Sequence, residues 1–425
     1  MKKFYSFLLM MLSICTTTYA DNWMQYLPDN AYVVDVSIPG THDSGTGYDF
    51  EAYLIIPGST VANYARTQSL KLEDQWNLGV RAFDLRPKVT GSGNNRKLVV
   101  GHGIATTKLG FDDAIKQLCG FLEQNPTEFI VVHMLAADAI DDTFRTLLKT
   151  LLESDGVKEH LIDFNRNLTV GDMRGKMLII SRDPYDSTPY TGGFFNGWGN
   201  GVYRGISISG KSGPSASLNV QDISDVYQKD NEKKAAIIDL LNNSTKHVAT
   251  KDEEVVWAFN LASGYNNEPA KISIPFVTTI EIGSTAAGYK ANAQNTHPVF
   301  IDYLKENPAG PTGVVLMDYV AESDGAQGTE LINTLIDNNY RYLPKINDEG
   351  KTISVPYYTY KTTGWTSTTG NTFQVNTWST EGITDGSGMI TPFFENWLNK
   401  GGRLGNGEIY YTLSECKKGY YKVSI

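Results

Sequence analysis

The sequence predicts an α/β protein built on a (β/α) barrel, with a small all-β module at its carboxyl end. From Ala31 to about Tyr342, short runs of β-branched and apolar residues alternate with helical patterns, which indicates βαβ units and a largely parallel sheet. About eight such strands in ~310 residues fit a barrel better than an open sheet. The last stretch of the chain loses this alternation, which separates it from the barrel.

The predicted strands are short apolar runs bounded by Gly, Pro or polar residues. They span residues 31–37, 80–85, 97–101, 129–134, 176–181, 203–208, 255–261 and 313–318. Helical patterns fill much of the space between them. They span residues 68–78, 110–124, 139–153, 230–243, 296–306 and 325–338.

The barrel is predicted over residues 21–343 and is followed by a polar linker at 344–356. Residues 357–425 are rich in Thr, Tyr, Trp and Gly with strand-like alternation, which predicts a β-sandwich module. The sequence stops on an apolar strand, Tyr420–Ile425. Either this strand is the last of a compact sheet or the module continues beyond it, and the second alternative is favoured.

Residues 1–20 have the layout of a secretory signal peptide. Lys2 and Lys3 give a positive start, residues 7–14 form an apolar run too short to span a membrane, and Ala20 ends a small-residue cleavage site. We therefore expect an exported protein that is secreted, periplasmic or held at the cell surface.

The composition excludes several classes of protein. With 37 Lys and Arg against 47 Asp and Glu, the net charge of −10 argues against a nucleic-acid partner, which would require a basic face. Of the three cysteines, Cys15 lies in the leader and Cys119 and Cys416 are far apart, so neither a disulfide framework nor a cysteine metal site is expected. We expect a monomer that carries no cofactor.

Chemically active residues follow several predicted strands. His42 and Asp43 come after the first strand, Asp84 and Arg86 end the second, and His102 follows the third. Two further positions of this kind are Arg182 and Asp318. Because the carboxyl ends of barrel strands share one rim, and that rim carries the active site, we expect these side chains to converge.

Two histidines with an arginine suggest acid–base chemistry on a phosphate ester. One neutral imidazole would take a proton from a hydroxyl, and a protonated one would deliver a proton to the leaving oxygen. The arginine would hold two phosphate oxygens. Each histidine needs an acceptor on its other ring nitrogen, and Asp43 and Asp318 are the candidates. Zinc-protease, P-loop, EF-hand and GxSxG signatures are missing from the sequence.

The motifs resemble those of the bacterial phosphatidylinositol-specific phospholipases C, a family defined by an X-domain. The resemblance rests on SIPGTHDS at 37–44, GVRAFDLR at 79–86 and the His102-Gly103 pair. It continues through residues 125–128, 174–176, 220–222 and 303–319 and covers about residues 31–342. The tail is similar to a β-sandwich module of secreted Bacteroides-type proteins.

The resemblance implies a distorted (β/α)8, TIM-like barrel that cleaves phosphatidylinositol to diacylglycerol and inositol 1,2-cyclic phosphate at a membrane surface. It implies that His42 is the base, supported by Asp318, and that His102 is the acid, supported by Asp43. Arg86 would hold the phosphate, where calcium-dependent relatives have an acidic metal ligand, so the resemblance implies an enzyme that needs no metal. Asp84, together with Arg182 and Asp222, would belong to the substrate-binding set.

Two departures leave the headgroup open. A family lysine after strand 129–134 is replaced near Leu135, and a family tyrosine falls on Ser224, for which Tyr227 is a candidate substitute. A phosphodiesterase for another, glycosylated inositol lipid is one alternative. The other is a non-catalytic protein that binds inositol lipids or glycans.

The loop at residues 192–201 is a candidate membrane contact. Its rings, Phe194, Phe195 and Trp198, suit a bilayer interface if they are exposed. The alternative, weighted equally, is a small core under a long loop.

Overall fold

A computed structural model of the 425-residue chain describes residues 22–182, 191–195, 197–246, 255–274, 278–343, 345–346, 352–367, 372–373, 378–379 and 409–424. The predicted signal peptide lies outside the described residues. In the described part of the chain no helix is long and apolar enough to cross a membrane.

The strands up to residue 317 alternate with helices over much of the chain, as the sequence predicts. They are β1 (Ile38–Thr41), β2 (Ala82–Leu85), β3 (Pro87–Thr90), β4 (Lys97–His102), β5 (Ala105–Gly110), β6 (Ile130–Met134), β7 (Met177–Ser181), β8 (Gly193–Phe195), β9 (Gly201–Gly210), β10 (Ala216–Asp222), β11 (Val256–Leu261), β12 (Ala270–Ile274), β13 (Thr278–Ile282) and β14 (Val314–Met317). Nine of them close into a barrel in the order β1-β14-β11-β10-β9-β8-β7-β6-β2.

The barrel confirms the predicted fold class, and most of its strand pairs are parallel. Strands β1, β6, β7 and β14 are buried along their whole length, as expected for strands covered on both faces. The predicted strand at 203–208 is the exception, because β9 runs antiparallel to both β8 and β10.

Helices surround the barrel, and three of them begin at a capping side chain. They are α1 (Gly58–Ala65), α2 (Leu72–Asn77), α3 (Phe111–Gln124), α4 (Asp142–Leu152), α5 (Val170–Met173), α6 (Asp230–Ser244), α7 (Ala286–Glu306) and α8 (Gly328–Tyr342). At the start of α4, the Asp141 carboxylate accepts a hydrogen bond from the Phe144 amide, and Thr169 and Asp172 form a capping box at α5.

The first barrel strand lies further along the chain than predicted. Residues 33–35 form a 3₁₀ turn, and β1 contains the Pro39-Gly40 pair that the prediction placed after the strand. A Cβ on Gly40 would lie 2.7 Å from the Cβ of Ala82 and 2.8 Å from Cδ2 of Leu316. Glycine is thus used here for close packing of β1 between β2 and β14, and not for a turn.

The predicted strand at 97–101 lies outside the barrel. It corresponds to β4, the middle strand of a separate antiparallel sheet in the order β3-β4-β5. His102, its last residue, therefore reaches the site from an excursion of the chain after β2 and not from the end of a barrel strand.

The structure describes the carboxyl-terminal region by its backbone pairing. Strand β16 (Thr352–Ser367) pairs antiparallel with β15 (Lys345–Ile346), β17 (Thr372–Phe373), β18 (Trp378–Ser379) and β19 (Ile409–Ser424). Since β16 begins at Thr352, a strand occupies the second part of the predicted linker. The β-sandwich stays a prediction.

Candidate active site

Strand register brings His42 and Asp318 together. Strands β1 and β14 are parallel neighbours with Thr41 opposite Met317, so the next residue of each strand reaches the same rim. The His42 amide donates to the Met317 carbonyl at 2.8 Å. Between the same two strand ends, His42 Nδ1 lies 2.8 Å from Asp318 Oδ1. The other carboxylate oxygen of Asp318 accepts from the Gly264 amide at 3.2 Å.

Asp43 is placed by an unusual backbone conformation. Its φ of 44° lies in the left-handed region, which aspartate tolerates better than most residues. The turn directs its carboxylate at three groups. Oδ1 is 2.8 Å from Arg86 Nε, and Oδ2 is 3.3 Å from His42 Nε2 and 3.5 Å from His102 Nε2. Asp43 is therefore the shared anion of the site.

Asp84 lies beneath Arg86 and is fully buried. Its Oδ2 accepts hydrogen bonds from the Asp43 amide at 3.0 Å and from Arg86 Nη2 at 2.9 Å, and its Oδ1 lies 2.9 Å from His133 Nδ1. The resemblance implies a substrate-binding role for Asp84. In the structure its carboxylate is occupied by protein groups, so its position is that of a residue that orients Arg86.

His102 faces the pocket with a different orienting partner from the predicted one. Its Nδ1 lies 2.7 Å from the carbonyl oxygen of Ala65, so this nitrogen carries the proton of that hydrogen bond. Asp43 and the Tyr289 hydroxyl, at 3.2 Å, both lie on the Nε2 side. The predicted support by Asp43 therefore acts at the nitrogen that faces the pocket, and a backbone carbonyl fixes the ring.

The pKa of His42 reflects opposing influences. Burial lowers it, but the carboxylates of Asp43 and Asp318 outweigh burial and raise the pKa to about 9. Arg86 opposes them, because its Nη2 lies 2.8 Å from His42 Nε2 and can only donate. The tautomer with its proton on Nδ1, donated to Asp318, satisfies both contacts, because its Nε2 lone pair then accepts from Arg86.

Burial and neighbouring charges shift the pKa values of three groups around His42. Burial opposes the charge of Asp84, but Arg86 and His133 keep the pKa of this carboxyl well below its usual range. Burial raises the pKa of Asp318, partly offset by His42. Burial also raises the pKa of the Tyr289 hydroxyl far above its ordinary value, so Tyr289 is a neutral donor or acceptor at any physiological pH.

These groups open into a pocket of ≈ 260 Å³. Five predicted site residues line it, namely His42, Arg86, His102, Arg182 and Asp222. The other three, Asp43, Asp84 and Asp318, are buried and contact the pocket-lining residues. The structure therefore brings all eight predicted residues together. The ring centres of His42 and His102 are 6.4 Å apart, and both rings line this pocket.

Two rings of the 192–201 loop, those of Phe195 and Trp198, pack behind the pocket residues Arg182 and Asp222 and are not a membrane contact. Phe195 and Trp198 are only 1% and 6% exposed, and their rings stack with centres 4.8 Å apart. The Trp198 indole donates to Asp222 at 2.8 Å, and the Arg182 guanidinium lies 4.3 Å above its ring. The exposure that a bilayer contact requires is thus lacking, and the alternative of a small core is confirmed for these two rings.

The wall near the two family departures is built from residues that the sequence did not indicate. Leu135 and Ser224 line the pocket at the departing positions, and Tyr265 supplies an aromatic ring nearby. The Tyr265 amide donates to the Ser224 carbonyl at 2.8 Å, which fixes the two loops together. Tyr227 does not substitute for the family tyrosine, because it does not line the pocket. Its hydroxyl donates instead to Glu268, at a distance of 2.6 Å.

The site also has the donors of a cation site. Among the described residues, His42, Asp43 and Asp84 can each offer one atom to a common metal ion. The guanidinium of Arg86 lies against two of the three, at 2.8 Å from Asp43 and 2.9 Å from Asp84. Its charge thus satisfies the carboxylates that a cation would otherwise need to neutralise.

The chain is similar in sequence to known enzymes. No family model matches the chain. The chain is 22% identical over 329 residues to the 1-phosphatidylinositol phosphodiesterase of Staphylococcus aureus strain Newman, covering 75% of this chain and 94% of that protein. It is 23% identical over 323 residues to the enzyme of that name from Listeria monocytogenes, covering 75% and 84%.

Solved structures give the same fold. A crystal structure of the phosphatidylinositol-specific phospholipase C from Staphylococcus aureus, with pentafluoro-phenylalanine incorporated, superposes with a TM-score of 0.57 at 21% identity. The match covers 75% of this chain and 98% of that one. Three quarters of the chain is therefore homologous to bacterial 1-phosphatidylinositol phosphodiesterases, and its barrel has the fold of the phosphatidylinositol-specific phospholipases C.

Proposed function

We propose that the protein is an exported, metal-independent phosphatidylinositol-specific phospholipase C. The observation that carries the proposal is the pair of imidazoles facing each other across the pocket, with Arg86 beside one of them. Homology to phosphodiesterases supports the substrate class, and the leader pattern supports export. The test is incubation with phosphatidylinositol and other phospholipids, with products identified by phosphorus NMR, and failure to cleave any inositol lipid would refute it.

The chemistry is an intramolecular displacement at phosphorus. His42 Nε2 takes the proton of the inositol 2-hydroxyl as its oxygen bonds to phosphorus. The bond from phosphorus to the diacylglycerol oxygen breaks, and His102 Nε2 gives that oxygen a proton. The products are diacylglycerol and inositol 1,2-cyclic phosphate. Because nucleophile and phosphate belong to one molecule, the reaction gains from proximity.

Each predicted support has a place in this reaction. Asp318 holds the His42 proton on Nδ1, which leaves Nε2 as the base. Arg86, oriented by Asp43 and Asp84, would offset charge that builds on the phosphate oxygens. Arg182 and Asp222, joined through Trp198, would contact inositol hydroxyls at the far end of the pocket.

Replacement of Arg86 by alanine is expected to lower kcat/KM by ~10²–10³-fold, because the phosphate loses its cationic partner. In the wild-type protein, EDTA should leave the rate unchanged, since Arg86 fills the place of a cation. Arg204→Ala, which removes a partly exposed arginine paired with Asp239, is the matched control. A loss of wild-type activity on chelation that Ca²⁺ restores would overturn the assignment of Arg86.

A hairpin tip near the pocket supplies the membrane contact in this proposal. Tyr53 and Ile56 exchange backbone hydrogen bonds, and the two residues between them, Leu54 and Ile55, are 60% and 67% exposed. Leu54 has a φ of 53°, a conformation that costs a leucine about 1–2 kcal/mol. Ile104, 51% exposed, follows His102 by two residues. With a net charge of −10, binding to a bilayer would rest on these apolar side chains.

The double variant Leu54→Ser, Ile55→Ser is expected to bind vesicles with an affinity lower by about tenfold or more. The reason is that two apolar side chains that the bilayer would bury are replaced by polar ones. Vesicle sedimentation measures this directly. Ile238→Ser, which alters another exposed apolar residue on α6, is the control and should bind normally. Equal binding by the wild type and the double variant would exclude the hairpin tip.

A second candidate substrate is a glycosylated inositol lipid. It is favoured by Leu135 and Ser224, which leave the headgroup end of the pocket without a lysine and with a small side chain. A higher kcat/KM for glycosylated than for plain phosphatidylinositol would support this substrate, and the reverse would exclude it. The non-catalytic alternative is disfavoured by the joint presence of both histidines, Arg86 and Asp318.

A further inference from the structure

A second cavity of ≈ 290 Å³ adjoins the catalytic pocket. Most of its wall is apolar and comes from the hairpin at residues 53–56, helix α1 and the end of β13. The side chains that define it are Tyr53, Ile56, Val61, Tyr64, Ala65 and Ile282. The described residues around it include no aspartate, glutamate, lysine or arginine, so it suits an uncharged, apolar ligand.

His102 forms part of the wall of both cavities. Its Nδ1 points to the Ala65 carbonyl, and Ala65 lines the apolar cavity. Its Nε2 points toward Tyr289 and Asp43 in the polar pocket. A group bonded to an oxygen within reach of Nε2 can therefore continue past the ring into the apolar cavity.

We propose that this cavity binds the glycerol and the first acyl carbons of a single lipid, the part that leaves as diacylglycerol. The inference rests on the proposed function, because that function puts the leaving oxygen at His102. Apart from His102, the polar side chains on the wall are Tyr53, Tyr64 and Ser284, of which Ser284 hydrogen-bonds Tyr289, and the rest of the wall matches hydrocarbon.

The cavity is structurally separate from the barrel core. Phe50, Val61, Ala65 and Ala105 form their own small cluster, against which Tyr53 and Ile56 pack. Substitutions in this cluster can therefore change the cavity without disturbing the residues inside the barrel. The cavity is also distinct from the hairpin tip, since Leu54 and Ile55 do not line it.

This separation allows lipid recognition to be measured without a bilayer. The substrates are dihexanoyl phosphatidylinositol, kept below its micelle concentration, and glycerophosphoinositol, which has the same phosphodiester without acyl chains. Val61→Phe fills the cavity, and Ile56→Gln, at a partly exposed residue, makes its wall polar as a second variant. Ile238→Ser, at an exposed apolar residue of α6 away from both cavities, is the matched control.

Val61→Phe and Ile56→Gln are each expected to raise KM for the dihexanoyl lipid by about tenfold, the effect of losing a small apolar contact. Cleavage of glycerophosphoinositol should change less than about twofold, and Ile238→Ser should leave both substrates unaffected. Unchanged KM values for the dihexanoyl lipid, or equal changes for both substrates, would overturn the cavity assignment alone. If the wild-type protein cleaves neither substrate, the proposed function fails.

Discussion

Replacement of His42 by alanine is expected to lower the release of inositol cyclic phosphate by ~10³–10⁴-fold, because the 2-hydroxyl loses its base. No other histidine in the described part of the chain can replace it. Among them, His42 alone lines the pocket and has a ring nitrogen 2.8 Å from a carboxylate oxygen. Phosphorus NMR of the products measures the loss. His160→Ala, which removes an imidazole bonded to the Gly175 carbonyl outside the pocket, is the control.

The pH dependence tests the same assignment without deleting the base. His42 must be unprotonated to act, and its carboxylate neighbours raise its pKa to about 9. The rate kcat/KM should therefore fall as the pH drops below about 9. Asp318→Asn removes one of the charges that raise this pKa, so the acidic limb should move to lower pH. The maximal rate should drop as well, because an amide in place of the carboxylate no longer fixes the Nδ1 tautomer of His42.

Two results would contradict this account of His42. One is an acidic limb that stays in place in Asp318→Asn. The other is a cyclic-phosphate rate in His42→Ala within about tenfold of the wild type, which would be too small a loss for a catalytic base. A folded barrel in both variants, checked by circular dichroism, separates these outcomes from misfolding.

The sequence could predict the convergence of the site because a parallel barrel places the ends of its strands on one rim. His42, Arg86 and Asp318 reach that rim directly from β1, β2 and β14. For such residues, position along the chain determines position in space. His102 was predicted to converge for the same reason, but it arrives from β4 outside the barrel.

Helix α7 shows what hydrophobic periodicity could not predict. The sequence predicted a helix at 296–306, and the structure begins it at Ala286. Part of the buried face is polar: Asn292 in the additional turns and Thr296 at the start of the predicted span both donate to the Ala262 carbonyl. A buried polar face has no apolar period, so these turns carried no helical signal.

Tyr289 was missed for the same reason. It lies on the unpredicted part of α7, and its hydroxyl meets His102 across 187 positions of sequence. No motif surrounds it. The orientation of His102 by the Ala65 carbonyl was equally hidden, because any residue could supply that oxygen. Contacts made by the backbone or by isolated side chains depend on the folded geometry, and a single sequence does not encode them locally.

The His102→Ala variant should show a loss that depends on the leaving group. With phosphatidylinositol, whose alkoxide needs a proton, the rate is expected to fall by ~10²–10⁴-fold. With an inositol phosphate ester of 4-nitrophenol, whose leaving group departs as a stable anion, the loss should shrink to about tenfold or less. Colorimetric release of nitrophenolate and phosphorus NMR give the two rates.

His42→Ala is the matched comparison, because a base acts on the nucleophile whichever group leaves. It should lose similar factors with both substrates, whereas His102→Ala should not. Tyr289→Phe keeps the ring and removes the hydroxyl 3.2 Å from His102 Nε2, so its smaller defect should follow the His102 pattern. Tyr227→Phe, which removes a hydroxyl outside the pocket, should match the wild type. Equal losses for His102→Ala on both substrates would exclude His102 as the acid and leave it a role in binding the phosphate.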